Sequence, residues 1–188
     1  MVSGDHLRND RKMAQVKPDR SHLTARAHPN VLSLPVRRLI NRWWPGQPYC
    51  KSTVKDPTIL DYGCGHGDDV DWLRKCEFNV AGYDPHFFPD RDRTVLTKRY
   101  DIVLCTYVFN TIPYREWRLA LQAKLYDRVL KSGVVYISVR RGDQRTGWRA
   151  NGTWQGSIKM GLPKVFEDPN TVIYAMRPRN FPFPPFTR

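Results

Sequence analysis

The sequence predicts an α/β fold: a doubly wound, mostly parallel sheet in one compact domain. Three observations carry this. Apolar, β-type runs alternate with helical patterns from residue 58 to residue 140. A strand, a glycine-rich loop and a helix start follow one another at residues 58–73. Residues 100–107 are apolar almost throughout, as a strand covered on both faces must be.

The elements follow in order. Residues 1–22 are polar, basic and aperiodic and predict a mobile segment. Residues 23–56 form a lead-in and linker, with a helix started by Pro35, a face of Val36, Leu39 and Ile40, and an end at Trp43-Trp44-Pro45-Gly46. The core domain spans 57–177. In it, Thr58-Ile59-Leu60 ends a first strand, and 67–77 is a helix with Val70 and Leu73 toward the sheet. Residues 78–84 are a second strand, 94–97 a short third and 100–107 a fourth. Residues 114–131 predict an amphipathic helix through Trp117, Leu121, Leu125 and Val129, closed by Lys131-Ser132-Gly133. Residues 134–139 are a fifth strand, 142–161 a loop, and 164–166 and 171–176 late strands. Residues 178–188 are a Pro/Phe-rich tail.

The glycine loop narrows the ligand. Asp61 precedes Gly63, Gly65 and Gly67, and Asp68-Asp69-Val70-Asp71 follows. Glycine lets a ligand approach the backbone, and a helix start presents unpaired N–H groups. A dinucleotide fingerprint needs its third glycine at position 68, where Asp68 stands, and phosphate there would be repelled by Asp68, Asp69 and Asp71. The phosphate-cradling loop ending in Gly-Lys-Ser/Thr is absent. Asp84 closes the second strand about twenty residues after the loop, where a carboxylate can take both hydroxyls of a ribose.

Charge is unevenly spread. Residues 1–56 carry a net +7, residues 57–90 a net −5 and residues 91–188 a net +11, within a total of +13. The acidic block holds the glycine loop and suits a cationic ligand. The basic remainder suits an acidic partner, nucleic acid first. No apolar run approaches a membrane span, and the N-terminus lacks a signal-type segment. Cys50, Cys64, Cys76 and Cys105 show no paired spacing, which predicts reduced thiols in a cytoplasmic protein and no metal site.

The run Asp61-Tyr62-Gly63-Cys64-Gly65-His66-Gly67, with Asp84 beyond it, resembles the first motifs of class I, Rossmann-like methyltransferases dependent on S-adenosylmethionine (SAM). The segment Tyr107-Val108-Phe109-Asn110-Thr111-Ile112-Pro113 resembles the part of that family that closes over the methyl donor, and Leu130-Lys131-Ser132-Gly133 its entry into strand five. Within the family, residues 60–70, Asp84-Pro85-His86-Phe87, Ser138-Val139-Arg140 and the lead-in 32–37 resemble methyltransferases associated with DNA phosphorothioation. The paired prolines of DNA amino-methylating members are missing after Asn110, and the Asn110-Thr111-Ile112-Pro113 pattern is closer to small-molecule members.

The resemblance implies a SAM cofactor held by Asp61, Gly63, Cys64, Gly65, Gly67 and Asp84, with Cys105, Thr106 and Tyr107 lining the donor pocket. Methyl transfer needs alignment and exclusion of water, and a base only where the acceptor loses a proton. His86 is the candidate base, or else shapes its turn or stacks on adenine. Asn110 either bonds an acceptor amine or caps the next helix. Arg140 and Arg141 suit an acceptor phosphate or carboxylate. Trp148 and Trp154, beside Arg145 and Arg149, either stack bases or cover the sheet edge. The activity expected is methyl transfer to an anionic or nucleic-acid acceptor; the alternatives are a small-molecule methyltransferase and a non-catalytic SAM- or nucleotide-binding module.

Overall fold

The computed structural model describes residues 20–43, 57–87, 93–142 and 146–178. The expectations for most of the N-terminal segment, much of the linker with Cys50, Arg145 and almost all of the tail lie outside these residues.

A six-stranded sheet is ordered β2-β1-β3-β4-β8-β7, with β1 Ile59–Tyr62, β2 Val80–Tyr83, β3 Tyr100–Thr106, β4 Val129–Arg140, β7 Lys164–Glu167 and β8 Thr171–Met176. The first four strands are parallel; β8 returns antiparallel to β4, and β7 antiparallel to β8. The chain leaves β1 toward β2 and then crosses back to β3 on the other side of β1. That reversal opens a crevice beyond the carboxyl ends of β1 and β3, where α/β sheets bind ligands.

Alternation along each strand feeds two cores. Leu60, Val103, Cys105, Ile137 and Val139 face one way and pack with Leu121 and Leu125 of α3 Arg115–Asp127. Ile59, Ile102, Leu104, Val134 and Tyr136 face the other way. They meet Val70 and Leu73 of α2 Asp68–Lys75 and Val36, Leu39 and Ile40 of α1 Leu34–Trp43. The three α1 side chains are essentially fully buried, contributing on the order of 5–9 kcal/mol of apolar burial. Cover on both faces explains why the strands read as unbroken apolar runs.

Three expectations are corrected. Residues 94–97 are no strand: Arg93–Leu96 is a turn of 3-10 helix, with the Thr97 amide and hydroxyl both donating to the Thr94 carbonyl. The hydroxyl of Tyr100 also donates to the Val95 carbonyl. The helix over 114–131 stops at Asp127, and β4 begins at Val129. The period of four ran on because Val129 points into the same core as Leu121 and Leu125, from a strand. Lys131-Ser132-Gly133 lies in a bulge, where Tyr100 pairs Val129 but Ile102 pairs Val134. A Cβ at Gly133 would run into the Asp101 carbonyl and Val129, so the bulge admits only glycine. Finally, the loop 142–161 carries a small hairpin, β5 Gly147–Trp148 with β6 Trp154–Gln155.

No helix among the described residues is long and apolar enough to cross a membrane.

Candidate active site

The crevice is built from the ends of β1 to β4. Gly63, Gly65 and Gly67 adopt positive φ of 81°, 56° and 87°. At Gly63 a side chain would be strained by φ and would overlap Val108, so the loop can pass under the segment after β3 only as glycine. The amides of Gly63 and Cys64 donate to the Tyr83 carbonyl at 2.6 and 3.1 Å, and that of Gly67 to the Cys64 carbonyl at 2.9 Å. The Gly65 amide donates to Asp84 Oδ2 at 3.1 Å. The loop therefore spends these donors on its own shape. What it offers a ligand is bare backbone and the start of α2, whose first turn carries Asp68, Asp69 and Asp71.

Asp84 follows β2 and is buried. Besides the Gly65 amide it accepts the amides of His86 at 2.9 Å and Phe87 at 3.2 Å on Oδ1, which closes the turn. Oδ2 keeps a lone pair for an outside donor.

Asp61 is the electrostatic centre. It is 2 % exposed, and its Oδ1 is buried with no hydrogen-bond partner. Burial pushes its pKa well above the usual carboxylate range, and Asp69 and Asp84 push it further. A buried carboxylate without a partner is costly, and a cation relieves it. The glycine backbone, the orphaned Asp61 oxygen and the carboxylate at the end of β2 thus fit a ligand with a cationic end and a hydroxylated end, as SAM is.

Cys64 is half-buried and Cys105 fully buried. Burial holds both thiols above their ordinary pKa, with Asp61 adding to the effect, so both stay protonated. Cys105 packs in the α3-side core with Leu60 and Ile137, while Thr106 is half-buried at the end of β3.

Tyr107 follows β3 with φ of 61°, a left-handed conformation rarely taken by a bulky residue. Three contacts hold it there. Its amide donates to the Ser138 carbonyl at 2.9 Å, its hydroxyl lies 3.0 Å from Thr171 Oγ1, and the Arg140 guanidinium sits 5.0 Å from its ring centre. Burial raises its pKa, so the phenol is neutral near pH 7.

Asn110 has a different task from those expected. It is 2 % exposed. Its Oδ1 accepts the Arg140 amide at 2.8 Å, and its Nδ2 donates to the Gly156 carbonyl at 2.5 Å and the Arg140 carbonyl at 3.4 Å. Its own carbonyl accepts the Gly156 amide at 2.9 Å. The side chain clamps three loops, and Tyr114 stands at the N-cap of α3 in its place.

His86 lies after β2, two strands away from Tyr107 and Asn110. It is exposed, with its ring 4.6 Å from that of His22. Arg140 and Arg141 are both exposed but differ: Arg141 is ion-paired with Glu167 and donates to the Asp168 carbonyl at 3.2 Å. Trp148 and Trp154 are direct cross-strand neighbours in the hairpin. Trp154 is half-buried, with the Arg118 guanidinium 5.8 Å from its ring, whereas Trp148 remains 38 % exposed.

The residues 20–33, with His22 and Ser33, and the partner Thr171 were not singled out as site residues. Their contacts join positions 36 or more apart, and no local pattern announces them.

The chain matches the family described as a methyltransferase domain over residues 27–180. A comparison with curated proteins found no match. Among solved structures, the chain is similar to the Burkholderia thailandensis 1,6-didemethyltoxoflavin-N1-methyltransferase with bound 1,6-didemethyltoxoflavin and S-adenosylhomocysteine. That likeness has 11 % identity and a TM-score of 0.52, over 84 % of this chain and 78 % of that one. A second similarity is to the glycopeptide N-methyltransferase MtfA complexed with S-adenosylhomocysteine, at 10 % identity and a TM-score of 0.43, over 81 % and 76 % of the two chains. With four-fifths of its length inside the family match and the parallel sheet, glycine loop and acidic strand ends in place, the chain belongs to the methyltransferase-domain family, enzymes that take their methyl group from SAM.

Proposed function

We propose that this methyltransferase acts on an anionic acceptor presented to Arg140 at the end of β4. When bound, SAM supplies an activated methyl group on a positively charged sulfur. Asp61 would take the α-amino group of its amino-acid end, Asp84 would receive ribose hydroxyls, and Gly63, Gly65 and Gly67 would let the amino-acid end approach the backbone. The acceptor side is the group of loops after β3, β4 and β6.

The observation that carries the proposal is the contrast between two adjacent arginines. Arg141 is neutralised by Glu167, while Arg140 lies over Tyr107, whose backbone follows the same strand as Cys105 and Thr106. A guanidinium on an aromatic face keeps its donors for a planar anion. Alignment carries most of the catalysis, because the methyl group needs no activation by the protein. Tyr107, as a neutral phenol, orients an acceptor by hydrogen bonding. His86 is the base only for an acceptor that reaches the β2 side.

Nucleic acid is the first acceptor to test. The net charge of +13 and the exposed Trp148 beside Arg149 support it, as does the resemblance to methyltransferases associated with DNA phosphorothioation. A small anionic molecule is the second reading, favoured by the loop Asn110-Thr111-Ile112-Pro113 without paired prolines and by the half-buried, packed Trp154. Incubation with methyl-labelled SAM and a panel of single- and double-stranded DNA, RNA, small carboxylates and phosphates, and neutral alcohols and heterocycles decides between them. Label on neutral acceptors alone overturns the proposal. SAM binding without label on any acceptor favours a non-catalytic binding module.

A further inference from the structure

Residues 20–33 run across the carboxyl ends of the strands. The Arg20 guanidinium donates to the Asn151 carbonyl at 3.4 Å, at the turn of the β5–β6 hairpin, and its side chain lies against Gly152. The His22 ring rests against His86 after β2. Ala25 faces Gly65, where an added Cβ would stand 3.4 Å from its own. The His28 amide donates to Asp68 Oδ2 at 2.6 Å, and the Ser33 amide to Asp69 Oδ1 at 2.7 Å. Lys75 donates to Asn30 Oδ1 at 2.7 Å. One segment thus touches the acceptor-side hairpin, the ribose-side turn, the glycine loop and the start of α2, and then enters α1.

Within it, two side-chain atoms are buried without a hydrogen-bond partner, Ser33 Oγ beside α2 and His22 Nδ1. Buried polar atoms are almost always paired. The His22 nitrogen belongs to a ring 4.6 Å from His86, whose own amide is bonded to the Asp84 carboxylate. An adenosine seated at Asp84 offers ribose hydroxyls and ring nitrogens, donors and acceptors that an imidazole nitrogen can meet in either tautomer.

We propose that residues 20–33 are a strap that closes over the bound cofactor and that His22 is an adenosine-binding residue carried on it. The inference rests on the SAM reading above. Anchors on both sides of the crevice make the strap a cover that excludes water from the methyl group, and they make entry of the cofactor depend on its lifting. His28 and Ser33 hold the hinge side through α2 by hydrogen bonds of 2.6 and 2.7 Å, and Arg20 holds the far side by a longer, exposed one of 3.4 Å. The far side therefore opens first.

Calorimetry with SAM on the full chain tests it, using wild type, His22→Phe, His22→Gln and Asp84→Ala, together with tryptic cleavage after the exposed Arg20 and Arg26. His22→Phe keeps a ring against His86 but removes the nitrogen. It is expected to lose about tenfold in SAM affinity, the loss of one hydrogen bond to the ligand, at unchanged melting temperature. His22→Gln recovers part of that loss. SAM slows cleavage after Arg26 in wild type and does so less in His22→Phe. Wild-type affinity in His22→Phe, or cleavage indifferent to SAM, overturns the inference while Asp84→Ala still reports the cofactor site. Absence of SAM binding by wild type brings down the SAM reading, and this inference with it.

Discussion

The amide of Gly65 and the carboxylate of Asp84 are hydrogen-bonded at 3.1 Å, tying the glycine loop after β1 to the end of β2. The two residues are nineteen apart in sequence, and each belongs to a different cofactor motif. Asp84 therefore holds the loop in shape, and in the proposed reading its remaining lone pair also serves the ribose.

Asp84→Ala removes both. SAM affinity should fall by about 1.5–3 kcal/mol, or roughly ten- to hundredfold, the range for hydrogen bonds to a charged group. Asp84→Asn should lose less affinity, because one amide oxygen can still accept from the backbone. Calorimetry on the two variants checks the order, and unchanged affinity in Asp84→Ala would place the cofactor elsewhere.

Asp61 makes a prediction about pH. Its folded pKa lies above the unfolded value because of burial, then Asp69 and Asp84. Between those two values the native chain holds a proton that the unfolded chain has released, so stability falls as pH rises from the ordinary carboxylate range toward the folded pKa. Asp61→Asn removes that slope and should raise the melting temperature by about 2–4 °C per kcal/mol recovered. A cationic ligand favours the ionised carboxylate, so SAM affinity should rise with pH over the same window in wild type and lose that rise in Asp61→Asn. A melting temperature that does not change with pH in wild type, over that window, contradicts this account.

The Asn110 clamp separates acceptor chemistry from cofactor binding. Asn110→Ala strands the Arg140 amide and the Gly156 carbonyl and should cost about 1–3 kcal/mol of stability. Its effect on catalysis should be a lower kcat on the acceptor at unchanged SAM affinity, because none of its partners belongs to the glycine loop. Loss of SAM binding in a folded Asn110→Ala would show that the clamp acts on the cofactor side.

Arg140 and Arg141 should behave differently on substitution. Arg140→Ala is expected to raise KM for an anionic acceptor, with SAM affinity unchanged. Arg141→Ala should leave KM near wild type, since its guanidinium is already paired with Glu167. Steady-state kinetics on the labelled acceptor checks the pair. The reverse pattern would move the anion site to the β7–β8 side.

Gly63→Ala tests the passage of the loop beneath Val108. The substitution meets both a φ of 81° and an overlap, and should destabilise the chain by about 1–3 kcal/mol. Adding Val108→Ala should recover part of that loss by removing the overlap and leaving only the backbone strain. A thermal melt of the single and double variants checks it.

Local chemistry was enough to read the parallel strands, the glycine turn and the acid at the end of β2 from residue order. Each depends on neighbours within a few positions: a run of apolar β-formers, glycines where φ is positive, a carboxylate at a strand end. The bulge at residues 130–133 was read as a helix end because Val129 continues a helical period by accident of facing the same core. Residues 94–97 carry the composition of a strand, yet hydrogen bonds to the Thr94 carbonyl wind them into a turn that lies beside the edge strand β2 without pairing to it.

Long-range contacts assigned the rest. Asn110 is a loop residue in any one-dimensional reading; the backbone of Arg140 and the carbonyl of Gly156, converging on its amide from two distant segments, make it a clamp. Two adjacent arginines are equivalent on paper and become unlike because the β7–β8 hairpin brings Glu167 to one of them. Residues 20–33 have no periodic signature, and their place over the glycine loop comes from two helix-start carboxylates accepting their amides. A residue type sets which bonds a side chain is able to make, whereas the partner that arrives from a distant strand sets which of them it does make.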